Sequence, residues 1–274
     1  MSPKMRRTLI SWAVLSPVIV LSLFPFAVMG VTALKPSAEV LVPTWRPSRL
    51  AWENFVDMWS ATGFGRALAN SLYVSVFATA LAIAVAIPFA YALDRFRFRA
   101  RGPLKQFLLV TQMLSPILLV IGLFRLVVML GLIDTTNSLV WIYGAFNIAF
   151  TVWMLQSYFA TIPKDLEEAA WIEGARPARA LWEVFLPLAI PAITVSAIFC
   201  FINAWNEFII ALTILRSDAS HTLPIRIFSL VAGRYTVEWH HVMAATFAAT
   251  IPVAIVFAWL QQYLVRGLSL GAVK

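Results

Sequence analysis

Residues 186–215 read LPLAIPAITVSAIFCFINAWNEFIIALTIL, thirty positions that hold one charge, Glu207. About 20 apolar residues in helical form cross the hydrocarbon of a bilayer, so this run is long enough to do so. The apolar residues are continuous and do not alternate, which argues against the period of two that a membrane barrel needs. Working outward, five more runs of this kind occur at 9–33, 69–93, 107–130, 139–160 and 242–265. The expected fold is all-α, a polytopic membrane protein with about six transmembrane helices and no separate soluble domain.

Composition agrees. The chain has 274 residues, 61% hydrophobic and 12% charged. A soluble domain carries about 25% charged residues; a chain with half that share needs a solvent as apolar as its side chains, which is lipid. The net charge of +8 could suggest nucleic acid, but the basic residues lie between apolar runs and not on a basic face. The opening Lys4, Arg6 and Arg7 imitate a secretory signal, yet the apolar stretch that follows is longer than a signal core of about 7–15 residues. It is read as an uncleaved first helix. The single cysteine, Cys200, cannot form a disulfide within the chain and is expected to be a buried thiol.

Lys and Arg decide sidedness, because cytoplasmic loops are enriched in them. The larger set is Lys4, Arg6, Arg7, Arg95, Arg97, Arg99, Arg101, Lys105, Lys164, Arg176, Arg179, Arg266 and Lys274. It places both termini and the loops 94–106 and 161–185 in the cytoplasm. The opposite stretch 34–68, with Pro36, Pro43, Pro47 and three Trp, is expected to be an ordered external cap.

Chemistry-bearing motifs are sparse. There is no G-x-x-x-x-G-K-[ST] loop to cradle ATP phosphates, and no Cys/His cluster with zinc spacing. His240 and His241 are adjacent, so on a helix they point apart. The chain is therefore expected to be no enzyme and to bind no cofactor itself.

Two features remain. One is the connection 161–187, where Asp165 is placed to cap a helix with Glu168 in the reciprocal position, Ala169 and Ala170 favour helix, and Gly174 and Pro177 turn the chain. A small-residue surface admits another protein closely; the same residues also suit a solvated loop. The other is the set of polar groups inside the spans. A charge at mid-bilayer costs about 2.5–3.5 kcal/mol on insertion scales, so Arg125 and Glu207 must face protein or water. Counting about 1.5 Å per residue along straight helices puts them at similar depths, and an intramembrane pair, direct or through a neighbour, is expected. Asn203, Trp205, Asn206 and Glu207 suit a sugar path, since aromatic faces stack on sugar rings and amides bond hydroxyls. Interhelical hydrogen bonding is the other use.

Glu168-Ala169-Ala170, three residues, Gly174, nine residues, Val184, one residue and Leu186-Pro187 resemble the EAA signature of ABC-importer permeases. Val184 stands for the commoner Ile and Glu173 for the commoner Asp. The resemblance extends over nearly the whole chain towards the carbohydrate branch, maltose type: Ala33–Pro36 with Trp52–Phe55, the turn Leu130-Gly-Leu-Ile-Asp134-Thr135, Ala204-Trp-Asn206-Glu-Phe208, and the tail Gly267–Lys274. Gly122-Leu-Phe124 departs from the family's Pro-Leu-Phe, and a changed bend of the third helix is expected there.

The resemblance implies an ABC-importer permease fold and a permease subunit of an ATP-driven sugar importer in a bacterial inner membrane, working by alternating access. Its partners would be a homologous second permease, two ATPase subunits that bind ATP and Mg, an external solute-binding protein, membrane lipid and the sugar, with no nucleic acid. It implies that Glu168, Ala169, Ala170, Gly174, Leu186 and Pro187 couple to the ATPase. A glycerol-phosphate or polyol importer shares this branch. A self-sufficient secondary transporter is the rival class; it would show repeats and several midplane acids, and neither is apparent.

Overall fold

A computed structural model describes residues 3–232 and 236–271, with side chains for Met5, 11–232 and 236–262. Among these residues all regular structure is helical, and five helices have the length and hydropathy to cross a membrane, or six if a bent pair counts as one span. The chain divides into two compact units, Met1–Gly65 with Arg226–Pro252, and Arg66–Ile225 with Val253–Lys274.

In the first unit, α1 (Pro3–Ala33) exposes its apolar side chains from Trp12 to Phe26. Such a surface is stable only against lipid. The stretch after it is ordered by backbone-directed bonds. Ala51 N donates to Leu34 O at 2.9 Å, and Asn54 Nδ2 donates to Ala33 O and Lys35 O, both at 2.8 Å. Lys35 Nζ donates to Val42 O at 2.8 Å, and Ser48 N donates to the Glu39 carboxylate at 3.0 Å. A short helix, α2 (Glu53–Ala61), turns Asn54 and Met58 inward.

The second unit is built on α3 (Phe64–Arg95) and α6 (Thr136–Phe159). Ala78, Ala82, Ala86 and Ala90 line one face of α3 at intervals of four, all fully buried. Small residues at that spacing let membrane helices approach closely. On α6, Gly144 faces this helix, and an added Cβ there would lie 2.6 Å from Leu81 Cδ2 and 3.1 Å from its Cγ. Gly144→Ala is expected to destabilise the protein by about 1–3 kcal/mol through overpacking, read as a lower Tm in detergent. Beside α6 runs α9 (Leu186–Asn206), and Cys200 is buried there, its Sγ 3.1 Å from Thr151 Oγ1, as the sequence suggested.

The third span is broken. Helices α4 (Arg101–Met113) and α5 (Pro116–Met129) meet at 98°. Pro116 is the cause. Its ring disfavours helical geometry in the residue before it, and Ser115 is extended at φ −68°, ψ 130°. At Gly122, where the family more often has Pro, α5 runs on without interruption. The fifth span is broken too: α9 ends at Asn206 and α10 (Ile209–Ile214) follows. Helix α11 is Leu223–Ser229, and α12 is Trp239–Gly271. The tail element Gly267–Lys274 lies outside the described side chains.

The turn between α5 and α6 is pinned to the end of α10. Gly131 and Asp134 are left-handed at φ 67° and 59°, a conformation Asp tolerates better than most residues. Asp134 N donates to Ile214 O. Its Oδ1 accepts from Arg216 N at 2.8 Å, Ser217 N at 3.0 Å and the Ser220 hydroxyl. Partial burial works to raise the Asp134 pKa, but the hydrogen bonds from Ser220 and the two amides outweigh it and hold the carboxyl well below the usual carboxylate range. A lowered folded pKa stabilises above the ordinary value of about 4 and loses that contribution as pH falls towards the folded one. Asp134→Asn should therefore lower Tm at neutral pH, and the gap to the parent protein should close on acidification below about pH 4.

Candidate functional site

Within the second unit a cavity of about 360 Å³ is lined by α4, α6, α9 and α10, with Thr111, Gln112, Tyr143, Asn147, Asn203 and Glu207 as its polar residues and Phe146 and Phe150 as its aromatic ones. Its volume lies in the range of small-molecule sites, about 300–1,000 Å³. The amides form a chain across two helices. Asn203 Nδ2 donates to Asn147 Oδ1 at 3.3 Å, and Asn147 Nδ2 donates to Tyr143 O at 2.8 Å.

Of the four residues singled out for a sugar path, Asn203 and Glu207 line this cavity and Asn206 and Trp205 do not. Trp205 is buried and stacks on Phe201 with centroids 5.5 Å apart, so its face is used in packing. Tyr143, Asn147 and Gln112 escaped the sequence reading. Asn147 carried a usable signal, an amide in the middle of an apolar run.

Glu207 explains how a carboxylate survives inside a span. It sits at the break after α9, and its two oxygens accept from Ile210 N at 2.8 Å and Ala211 N at 3.1 Å, the first free amides of α10. The Tyr143 hydroxyl donates to the same group. Three donors and the positive end of a short helix replace hydration. Arg125 takes no part: it is exposed on α5 and makes no ion pair with Glu207, whose partners are Tyr143 and the two amides. Both spans are broken, α4–α5 at Pro116 and α9–α10 at Glu207 itself, so a depth counted along straight helices does not carry across either break.

The connection 161–187 folds as α7 (Asp165–Ile172), a left-handed turn at Gly174 with φ 85°, α8 (Pro177–Ala180) and a π-helical segment, Leu181–Phe185. The expected cap at Asp165 does not form. Lys164 occupies the cap position and Asp165 enters the first turn, where its charge still favours the helix start. Glu168 and Ala169 are exposed, as is Pro187, and Ala170 and Leu186 are half-buried. Nothing lies within 4 Å of a Cβ placed on Gly174, so its glycine serves backbone conformation and not close packing. Leu166, Trp171, Ile172 and Trp182 add a large exposed apolar surface.

The buried charged residue here is Glu167, beside the Glu168 that carried the motif. Tyr91 Oη donates to Glu167 Oε1 at 2.6 Å, and Arg95 Nε lies 3.2 Å from Oε2. Both partners come from the last turns of α3.

Residues 82–270 match the family of binding-protein-dependent transport system inner membrane components. The inner membrane ABC transporter permease protein YcjP of Escherichia coli (strain K12) is 34% identical over 260 residues, 93% of this chain and 92% of that protein. The trehalose/maltose transport system permease protein MalG of Thermococcus litoralis is 34% identical over 257 residues, 93% of this chain and 92% of that protein. Among solved structures, a chain of a bacterial ABC transporter involved in the import of the acidic polysaccharide alginate superposes with a TM-score of 0.81 at 25% identity, over 96% of this chain and 98% of that one. With broken third and fifth spans and a polar cavity between them, the chain is thus a transport component, and it belongs to the family of binding-protein-dependent inner membrane permeases of ABC transporters.

Proposed function

We propose that this chain is one permease half of an ATP-driven importer of sugars. The observation that carries the reading is the cavity at the α9–α10 break. Its carboxylate is already engaged by three donors, so amides, a hydroxyl and two phenyl faces are left to meet a solute. That set suits a hydroxyl-rich ring, with amides for the hydroxyls and aromatic faces for the C–H surface. Relatives named for trehalose/maltose, diacetylchitobiose and trehalose support the class.

In this reading an external solute-binding protein delivers the sugar, and a homologous second permease completes the path. Two ATPase subunits hold ATP and Mg. Both termini and the 94–106 and 161–187 connections face the cytoplasm, and 34–68 lies outside. The exposed face around Glu168, Ala169, Ala170 and Gly174 docks on an ATPase. Affinity purification of the tagged chain from its own membranes in mild detergent should bring an ATPase and a second permease with it. Ion-driven sugar uptake by the isolated chain in liposomes would overturn the reading. Binding measurements on the companion solute-binding protein then name the sugar.

A further inference from the structure

We infer that Arg95, Glu167 and Tyr91 form a positioning joint that makes the 161–187 connection move as one body with the membrane helices. The inference rests on the proposal that this connection docks on an ATPase. The three residues make contacts that a solvated loop would not need. The Arg95 and Glu167 side chains are 5% and 4% exposed, a burial charged groups almost never reach unless paired.

Arg95 reaches from α3 to three neighbouring segments, the end of α6, α7 and the π segment. Its Nη2 donates to Ile162 O at 2.9 Å and reaches Phe159 O at 3.4 Å, carbonyls at and just past the end of α6. A guanidinium is well placed there, since the last carbonyls of a helix lack partners and carry negative partial charge. Its plane lies 4.6 Å from the Phe185 ring centroid in the π segment. Its Nε is within ion-pair distance of Glu167 on α7 and, at 3.4 Å, of Asp94 on α3, without a directed hydrogen bond to either. Tyr91 completes the closure, bonding Glu167 while packing edge-on against Phe185 at 5.1 Å.

These contacts decide how a displacement spreads. Leu166, Trp171, Ile172 and Trp182 project from the connection, but Glu167 is the one charged residue of α7 turned inward. If α7 shifts alone, the buried Glu167 carboxylate loses both its partners and the buried guanidinium loses one, which is far costlier than moving the pair together. The less costly path carries α3, the end of α6 and the foot of α9 along. Those helices include two walls of the cavity, α6 and α9. The joint thereby links the docking segment to the solute path, acting through position and touching neither nucleotide nor sugar.

The test uses the assembled transporter in proteoliposomes and reads sugar transported per ATP hydrolysed, a ratio that a lower yield of folded complex does not change. Glu167→Gln keeps shape and an acceptor for Tyr91 but removes the charge that holds Arg95. We expect its ratio to fall by roughly tenfold, within the usual range of coupling between sites, with the ATPase still copurifying. Tyr91→Phe leaves the ion pair in place and should show a smaller loss; it serves alone if Glu167→Gln does not assemble. An unchanged ratio in a variant that copurifies with its ATPase overturns the joint. Absence of an ATPase from the parent complex overturns the proposed function instead.

Discussion

Glu207→Ala should be the most damaging single change in the chain. It strips the acceptor from Ile210 N, Ala211 N and the Tyr143 hydroxyl at once. Each buried donor left unsatisfied costs about 1–3 kcal/mol. The loss should be several kcal/mol, comparable with the whole stability of many domains. It should appear as aggregation or a collapse of Tm in detergent size-exclusion profiles. Glu207→Gln keeps one carbonyl acceptor and should fall between the two. If Glu207→Ala proved as stable as the parent, the carboxylate would not be what holds the α9–α10 break.

Gly174→Val should cost transport more than stability. At φ 85° a β-branched residue is strained, and a left-handed L residue costs about 1–2 kcal/mol before branching is counted. No neighbour lies near enough to clash, so the strain falls on the turn between α7 and α8 alone. That turn aims the exposed face on which the proposed ATPase docks. A penalty of that size shifts a local equilibrium by about 5–30-fold, and transport in proteoliposomes should fall accordingly while the Tm of the isolated chain hardly moves. Gly174→Ala should fall less, and Gly174→Asn least among these, since Asn tolerates the left-handed region.

The contrast between these residues shows what the sequence made legible. Six apolar runs named the spans because crossing lipid is a matter of length and composition, which a single chain displays. Breaks were harder. Ser115-Pro116 carried a readable stop signal, but a run of apolar residues on both sides concealed it, and continuous helices then placed Arg125 opposite Glu207. The side-chain partner of Glu207 lies on α6, 64 residues away at Tyr143, and nothing local announces a contact at that distance. Arg95 was visible only as one more basic residue fixing sidedness, and Glu167 was overshadowed by the neighbour that matches the family motif. Exposure separates them: Glu168 faces outward and Glu167 inward, a difference of one helical step that identity alone does not reveal.

The π segment Leu181–Phe185 is a matter of phase. A π turn holds more residues than an α turn, so the chain spends a surplus residue between α8 and α9. Each residue advances an α-helix by about 100° (3.6 per turn), and deleting one here would rotate everything upstream by that angle against α9. Leu181, buried, would be carried into the outward place that Trp182 holds. The surplus residue therefore works as an offset between two gears, letting the apolar register of the membrane helix and that of the connection differ and still mesh.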